Sequence, residues 1–411
     1  MKSIAFLFGA GISAPAGLPL AEEITDTLLK GKCIYRQAGL RRTHYAHDAS
    51  HNRTTTHNDP FLSRISLLLQ ILHTEARIYY FNDRLPNYED LYFMAHQVLG
   101  SITFAEDSPV AFQFAKSLTN SFAGLLGDAF TNALNERDYP PHLKIGYEHD
   151  VSTMVKLLRE CCNYLRDIVC ALIGRKHDDL SYLRWIVDAA QDLSSGQKFI
   201  FTLNYDLILE TLFQDIGIHL VDGFDSAVTS DGVSYFNPLL YDDDSRTHLT
   251  KLHGSLNWFT NKHRGNVPRS QSFRLIKPVN TELANRHFEM DIPMVLVGTH
   301  NKTTNYSGPI FEDQQAHMLS VMNKTSNLVI CGYSFGDKAV NTRIQHWLDK
   351  STSNRMILIH RNPNRCMDSA RAGLNHVLKH CKDKGQLKVL EQGAENGFKW
   401  SDIVSQLEDA H

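Results

Sequence analysis

Short, almost unbroken apolar runs alternate along this chain with longer stretches in which apolar residues return every three to four positions. Runs such as Ile4–Phe8, Lys198–Thr202, Pro293–Val297, Asn327–Cys331 and Met356–Ile359 have the pattern of strands buried on both faces. Leu387–Leu390 reads as a further strand, and His219–Asp225, Val233–Phe236 and Leu249–Leu252 as short ones. Helical spacing predicts helices over Phe61–Phe81, Tyr88–Leu99, Val110–Leu134, Val151–Ala171 and Asp179–Leu193, the last stopped by Ser194-Ser195-Gly196. Later helices are expected at Leu207–Phe213, Phe311–Asn323, Lys338–Leu348 and Trp400–Leu407. The first helix is expected to begin near Ser13, with Ser13 as its N-cap and Pro15 in its first turn, and to end near Gly31. Lys32–Pro60 loses its periodicity and reads as a surface loop.

Strands that alternate with helices predict an α/β fold with a doubly wound, mostly parallel sheet. Serial helices without intervening strands predict a large helical insertion over 32–195, leaving a discontinuous core of 1–31 and 196–411. With 411 residues, 42% of them apolar, the chain can bury a sizeable core. Neither a run of roughly 20 apolar residues nor a signal-peptide pattern is present, so a cytoplasmic location is expected. The seven cysteines never form a C-x-x-C pair, which argues against a disulfide framework and against a zinc ribbon. The net charge of −3 gives no global attraction for nucleic acid. Two local features remain open. His44, His47, His51 and His57 are a solvated loop or metal ligands, and the basic stretch Asn261–Lys277 (Lys262, Arg264, Arg269, Arg274, Lys277) is a surface loop or a docking segment.

The candidate chemistry sits where strands end. Gly9-Ala10-Gly11 follows the first strand, and glycine there lets the backbone turn sharply and approach a ligand near a helix start, a place that attracts phosphate. Gly9-x-Gly11-x-x-Ala14 satisfies a loose dinucleotide fingerprint, but its acidic partner about twenty residues on is missing. Thr202-Leu-Asn204-Tyr-Asp206 puts polar groups at a second strand end, with Asp206 alternatively capping the helix and Asn204 turning the chain. His253-Gly254-Ser255 follows a third, the glycine leaving the imidazole unobstructed toward a ligand, and Gly332-Tyr-Ser334-Phe-Gly-Asp337 follows a fourth, with Asp337 well placed as an N-cap. His360 and Asn362, past the next strand, complete the set of cofactor-binding candidates.

Taken together and in this order, these four motifs resemble the sirtuin-like family, particularly its bacterial anti-phage defence branch; Asn87-Tyr-Glu89-Asp90 and Gly298-Thr299 are similar to further features of that branch. The resemblance covers residues 1–31 and 196 to about 365 and implies a Rossmann-like core. It implies that Gly9, Ala10, Gly11 and Ser13 bind the pyrophosphate of NAD+, that Asn204 and Asp206 hold the nicotinamide end, that His253 is the catalytic histidine, and that Gly332 and Ser334 meet phosphate or ribose. Protein-deacylating sirtuins carry Asp-Phe-Arg where this chain has Leu20-Ala21-Glu22, and a four-cysteine zinc module that these cysteines cannot assemble. The expectation is therefore NAD+ hydrolysis to nicotinamide and ADP-ribose without a metal. The rivals are a deacylase or ADP-ribosyltransferase, a non-catalytic NAD or ADP-ribose sensor, and a nucleic-acid-processing subunit. Because the chain ends soon after its last expected strand, control by homo-oligomerisation or by a partner is expected. The resemblance suggests a hexameric ATPase of the DNA-translocase class, with nucleic acid entering only indirectly.

Overall fold

The computed structural model describes residues 3–38, 43–48, 60–81, 84–103, 113–115, 117–118, 149–243, 247–260, 275–288, 290, 292–298 and 309–408. Six strands, β1 (Ile4–Phe8), β2 (Lys198–Thr202), β3 (His248–Lys251), β4 (Asn327–Cys331), β5 (Arg355–His360) and β6 (Leu387–Glu391), form one sheet in the order β6-β5-β4-β1-β2-β3. Every neighbouring pair is parallel. This is the Rossmann-like order, in which the chain switches direction of travel across the sheet between β1 and β4, the place where open α/β sheets bind ligands.

The middles of β1, β2, β4 and β5 are apolar because both faces are covered. Phe6, Phe8, Ile200, Val329 and Ile357 pack on one side with Trp185 and Trp400. Ala5, Leu7, Phe201, Ile330 and Leu358 pack on the other with Met318, Val340 and Trp347. The registers Phe8↔Cys331, Phe8↔Thr202 and Thr202↔Lys251 bring the ends of four strands level. Their polar sequels therefore emerge along one edge.

The chain divides into two compact units, one of Met1–Leu20, Ile173–Leu296 and Lys302–His411, the other of Ala21–Leu172 and Val297–Asn301. The division falls away from the sequence boundaries 31 and 196. The helix Ala21–Lys30 groups with the second unit, where the Tyr164 hydroxyl donates to the Leu28 carbonyl. The helix Arg184–Gln191 groups with the sheet, because Trp185 lies against Phe6 and Phe8.

In the second unit the expected loop 32–60 is corrected. Ile34–Ala38 and Thr43–His47 form an antiparallel hairpin, with Ile34 fully buried and Tyr45 packed edge-on against Tyr164. The apolar positions are too few to advertise it. Tyr45 instead holds the strand through polar bonds, its hydroxyl donating to Glu160 and its N–H to Asp167. His51 and His57 lie outside the described residues, as do Lys262, Arg264, Arg269, Arg274, Thr299 and most of 110–134. Asn87 and Asp90 form a capping box that starts the helix Tyr88–Ile102, reinforced by two bonds from Arg84 to Asp90 (2.8 and 2.7 Å).

Other strand expectations shrink. Residues 219–225 join neighbours only through isolated bridges at Val221 and Phe224. The expected buried strand 293–297 is a two-residue, half-buried strand, Met294–Val295, antiparallel to Gly254–Ser255 and outside the main sheet. Lys277 lies in the strand Leu275–Pro278, not in a loop, and its ammonium is bonded to Asp222. Among the described residues no helix is long and apolar enough to cross a membrane.

Beneath the β3 edge, His317 stacks on Tyr241 (4.1 Å between rings) and faces His248 (5.5 Å). Burial, reinforced by the nearby His248 and Lys324, pushes its pKa down to about 3. A histidine depressed in the folded state takes up its proton more readily when unfolded, so stability is full above about pH 6.5 and is lost as the pH falls. His317→Phe is expected to lose less stability than wild type between pH 7 and 5, by about 2 kcal/mol, in urea midpoints at the two pH values.

Candidate functional site

At the sheet's carboxyl edge the loops leaving β1 and β4 touch backbone to backbone. Gly11 N–H donates to Gly332 O (2.9 Å) and Gly9 N–H to Cys331 O (3.2 Å). A methyl group on Gly332 would lie 2.5 Å from Ile12 N, and one on Gly9 2.6 Å from Gly332 O. Gly332 also has φ +68°. The three glycines are thus required by each other, whatever ligand sits above them. Ala10, between two of them, is exposed.

The helix expected from Ser13 does not form there. Pro15, Gly17 (φ +82°) and Pro19 confine the chain to two 3₁₀ turns, Ala10–Ile12 and Ala14–Ala16, and the α-helix begins only at Ala21. Ser13 makes no capping bond with its side chain. It is 3% exposed, and its hydroxyl donates to Asp206 Oδ2 (2.7 Å) and accepts from Asn204 Nδ2 (3.0 Å).

Asn204 Nδ2 also donates to Gly9 O (3.1 Å). A carbonyl can only accept, so this contact fixes the amide's orientation, and together with the bond to Ser13 it uses both amide hydrogens. Asn204 Oδ1 is left as the acceptor with capacity for a ligand. Asp206 is committed: Oδ2 to Ser13, Oδ1 to the Ile208 N–H (3.1 Å). It thereby binds the first residue of the following helix, whose N-cap position is Leu207, and holds Ser13. Buried Lys251 ties β3 into the same network, donating to the Asp206 carbonyl and to Glu210 Oε1 (2.7 Å). Burial raises the pKa of Glu210, and Lys251 opposes that rise.

Two residues beyond Lys251, His253 is 2% exposed, with Nε2 2.9 Å from Asp337 Oδ2. The Tyr205 ring lies 6.5 Å from the imidazole, and the Leu296 N–H donates to the His253 carbonyl (2.8 Å). Gly254 (φ +88°) serves a closer neighbour than the ligand expected from sequence, because a methyl there would meet Met294 O at 2.1 Å. Asp337 and Lys251 are the residues that sequence reasoning undervalued. Asp337 was legible as an N-cap, and it does accept the Val340 N–H (3.0 Å), but its partner lies 84 residues away in sequence.

The structure thus joins Gly9, Gly11, Ser13, Asn204, Asp206 and Gly332 through direct contacts and pairs His253 with Asp337. Among the described residues, Ser334, His360 and Asn362 stand on neighbouring strand ends outside this bonded group. Ser334 is exposed, turned outward beside Phe335, which is fully buried at φ +55°. His360 Nδ1 accepts the Asn362 N–H (3.0 Å), and burial lowers its pKa. Asn362 Oδ1 caps the helix Pro363–Asp368 through the Arg365 N–H (3.1 Å). No group of His, Cys, Asp and Glu side chains suited to a metal ion occurs among the described residues.

The glycine crossing makes a direct prediction. Gly332 and Gly385 share nearly the same φ (+68° and +71°), but a methyl at Gly385 would meet nothing within 4 Å. Gly385→Ala should cost about 1 kcal/mol, the price of backbone strain alone, and Gly332→Ala roughly 2 to 4 kcal/mol in chemical denaturation.

Residues 198–377 match the family model of the SIR2-like domain. No curated protein matches the chain. The matched span runs from β2 through β5 and contains Asn204, Asp206, His253, Gly332 and Asp337, while β1 and its glycine turn precede it. On a parallel sheet whose strand ends gather these residues at the switch point, the match supports a sirtuin-like family for this protein, one that uses NAD+.

Proposed function

We propose that the protein is an NAD+ glycohydrolase that cleaves the nicotinamide–ribose bond and releases nicotinamide and ADP-ribose. The observation that carries this reading is that Asn204, bonded to the Gly9 carbonyl, and His253, paired with Asp337, follow neighbouring strands that end level at the carboxyl edge of a sheet matched in part by the SIR2-like domain. Gly9, Ala10, Gly11, Gly332 and Ser334 form the side of the site proposed for pyrophosphate and ribose, where exposed Ala10 and Ser334 face outward. His360 and Asn362 extend that side. Ser13, with its hydroxyl already committed, serves the site by holding Asn204 and Asp206.

The bond breaks through an oxocarbenium-like transition state, so orientation and charge placement matter most. In the proposed step a water oxygen bonds to ribose C1′ as the C1′–N bond breaks. The electron pair of that bond leaves with nicotinamide and neutralises its ring, and the water's proton passes to His253 acting as general base. Asn204 Oδ1 accepts a hydrogen from the water or from the nicotinamide carboxamide. Asp206 acts through Ser13 and touches no reacting atom. No step calls for a metal.

The wider role proposed is depletion of NAD+ in the bacterial cytoplasm during anti-phage defence. Homo-oligomerisation or a partner, such as a hexameric ATPase of the DNA-translocase class, would hold the activity in check, with nucleic acid acting only through that partner. The motif order described above supports this setting.

Chromatographic measurement of nicotinamide released from NAD+ tests the chemistry. His253→Ala and Asn204→Ala are expected to lower turnover at least about 100-fold while remaining folded by circular dichroism. Unchanged turnover in either variant removes that residue from the mechanism.

A further inference from the structure

Asp337 has two jobs in the structure, and its two carboxylate oxygens divide them. Oδ1 accepts the Val340 N–H (3.0 Å) and starts the helix Lys338–Lys350. Oδ2 lies 2.9 Å from His253 Nε2, with the two side chains 6% and 2% exposed. The loop that carries it is tightly held. The Tyr333 hydroxyl accepts the Asp337 N–H (3.1 Å) and bonds to Asn341 Oδ1 (2.8 Å), while Asn341 Nδ2 donates to Phe335 O (2.8 Å) and Arg371 O (3.1 Å). A helix N-cap alone is met equally well by serine, threonine or asparagine. A carboxylate that also reaches a buried imidazole has a second consequence, because it selects one ring tautomer and stabilises the protonated ring.

We propose that Asp337 is the positioning residue of His253: it receives the Nε2–H, holds the ring in that tautomer and strengthens the imidazole as a base. This inference rests on the glycohydrolase reading for its kinetic consequence, but the pairing itself is testable without turnover. Asp337 and the Tyr205 ring, whose hydroxyl donates to Leu296 O, are among the groups that face His253. Lys251, on the same strand end, is held on Glu210 and the Asp206 carbonyl. Asp337 is thus a carboxylate bonded to the imidazole, and replacing it removes a negative charge 2.9 Å from the ring.

Two variants separate capping from pairing. Asp337→Asn keeps the shape and the cap, and Asp337→Ser keeps the cap but cannot reach the imidazole. Both are expected to fold with near wild-type denaturation midpoints. With [15N]histidine labelling and His253 assigned by its loss in His253→Gln, the wild-type ring is expected as the Nε2–H tautomer. In both variants its titration should move at least one pH unit lower. The acidic limb of kcat/KM for nicotinamide release should move down with it, and turnover at neutral pH should fall at least about tenfold. An Nδ1–H tautomer in the wild type, or a His253 titration unchanged in both variants, overturns the proposal. If the wild type releases no nicotinamide yet the spectra change as expected, the pairing stands and the glycohydrolase reading fails.

Discussion

The arrangement depends on one steric constraint, the contact between the backbones that leave β1 and β4. Because Phe8 and Cys331 are in register on neighbouring parallel strands, the two exit loops must emerge side by side. Only glycine at 9, 11 and 332 lets them touch. That contact fixes the Gly9 carbonyl, the carbonyl fixes Asn204, and Asn204 with Ser13 fixes Asp206. A switch point between oppositely directed halves of a sheet normally opens a crevice. Here its floor is closed by backbone contact, and a set of committed polar side chains lies beside it.

That commitment sorts the polar residues by what they have left to offer. Buried polar groups must be satisfied, so each bond made within the protein removes capacity for a ligand. Both Asp206 oxygens and the Ser13 hydroxyl are engaged, which makes these residues supports. Asn204 keeps its carbonyl oxygen, and His253 has one ring nitrogen directed at Asp337. Buried Lys251 links the two groups by fixing the Asp206 carbonyl two residues before the histidine. The chemistry proposed for the site thus falls to two side chains held by a larger buried frame.

Much of the core was legible because its strands are covered on both faces, so Ile4–Phe8, Lys198–Thr202 and Asn327–Cys331 appear as almost unbroken apolar runs. Three of the four motif-bearing strand ends were legible for the same reason, whereas β3, His-Leu-Thr-Lys, is mostly polar. Where position depends on polar bonds, sequence failed. The hairpin around Tyr45 is held by Glu160 and Asp167, more than a hundred residues away, and looked like a loop. Ser13 had the chemistry of an N-cap, but the prolines after it left no α-helix to cap, and its hydroxyl found Asp206 instead. Asp337 was visible only as a cap because nothing local points to His253. Gly254 was read as an opening toward a ligand and proved to be room for the Met294 carbonyl.

The central claim is that water, at a site framed by Asn204 and His253, takes the ribose of NAD+ from nicotinamide. Mass spectrometry of the product formed from NAD+ in 18O-labelled water tests this directly. The account predicts ADP-ribose carrying one 18O atom, formed in step with nicotinamide. Nicotinamide release that requires an added acyl-lysine or protein acceptor, or binding of NAD+ with no release, would contradict it.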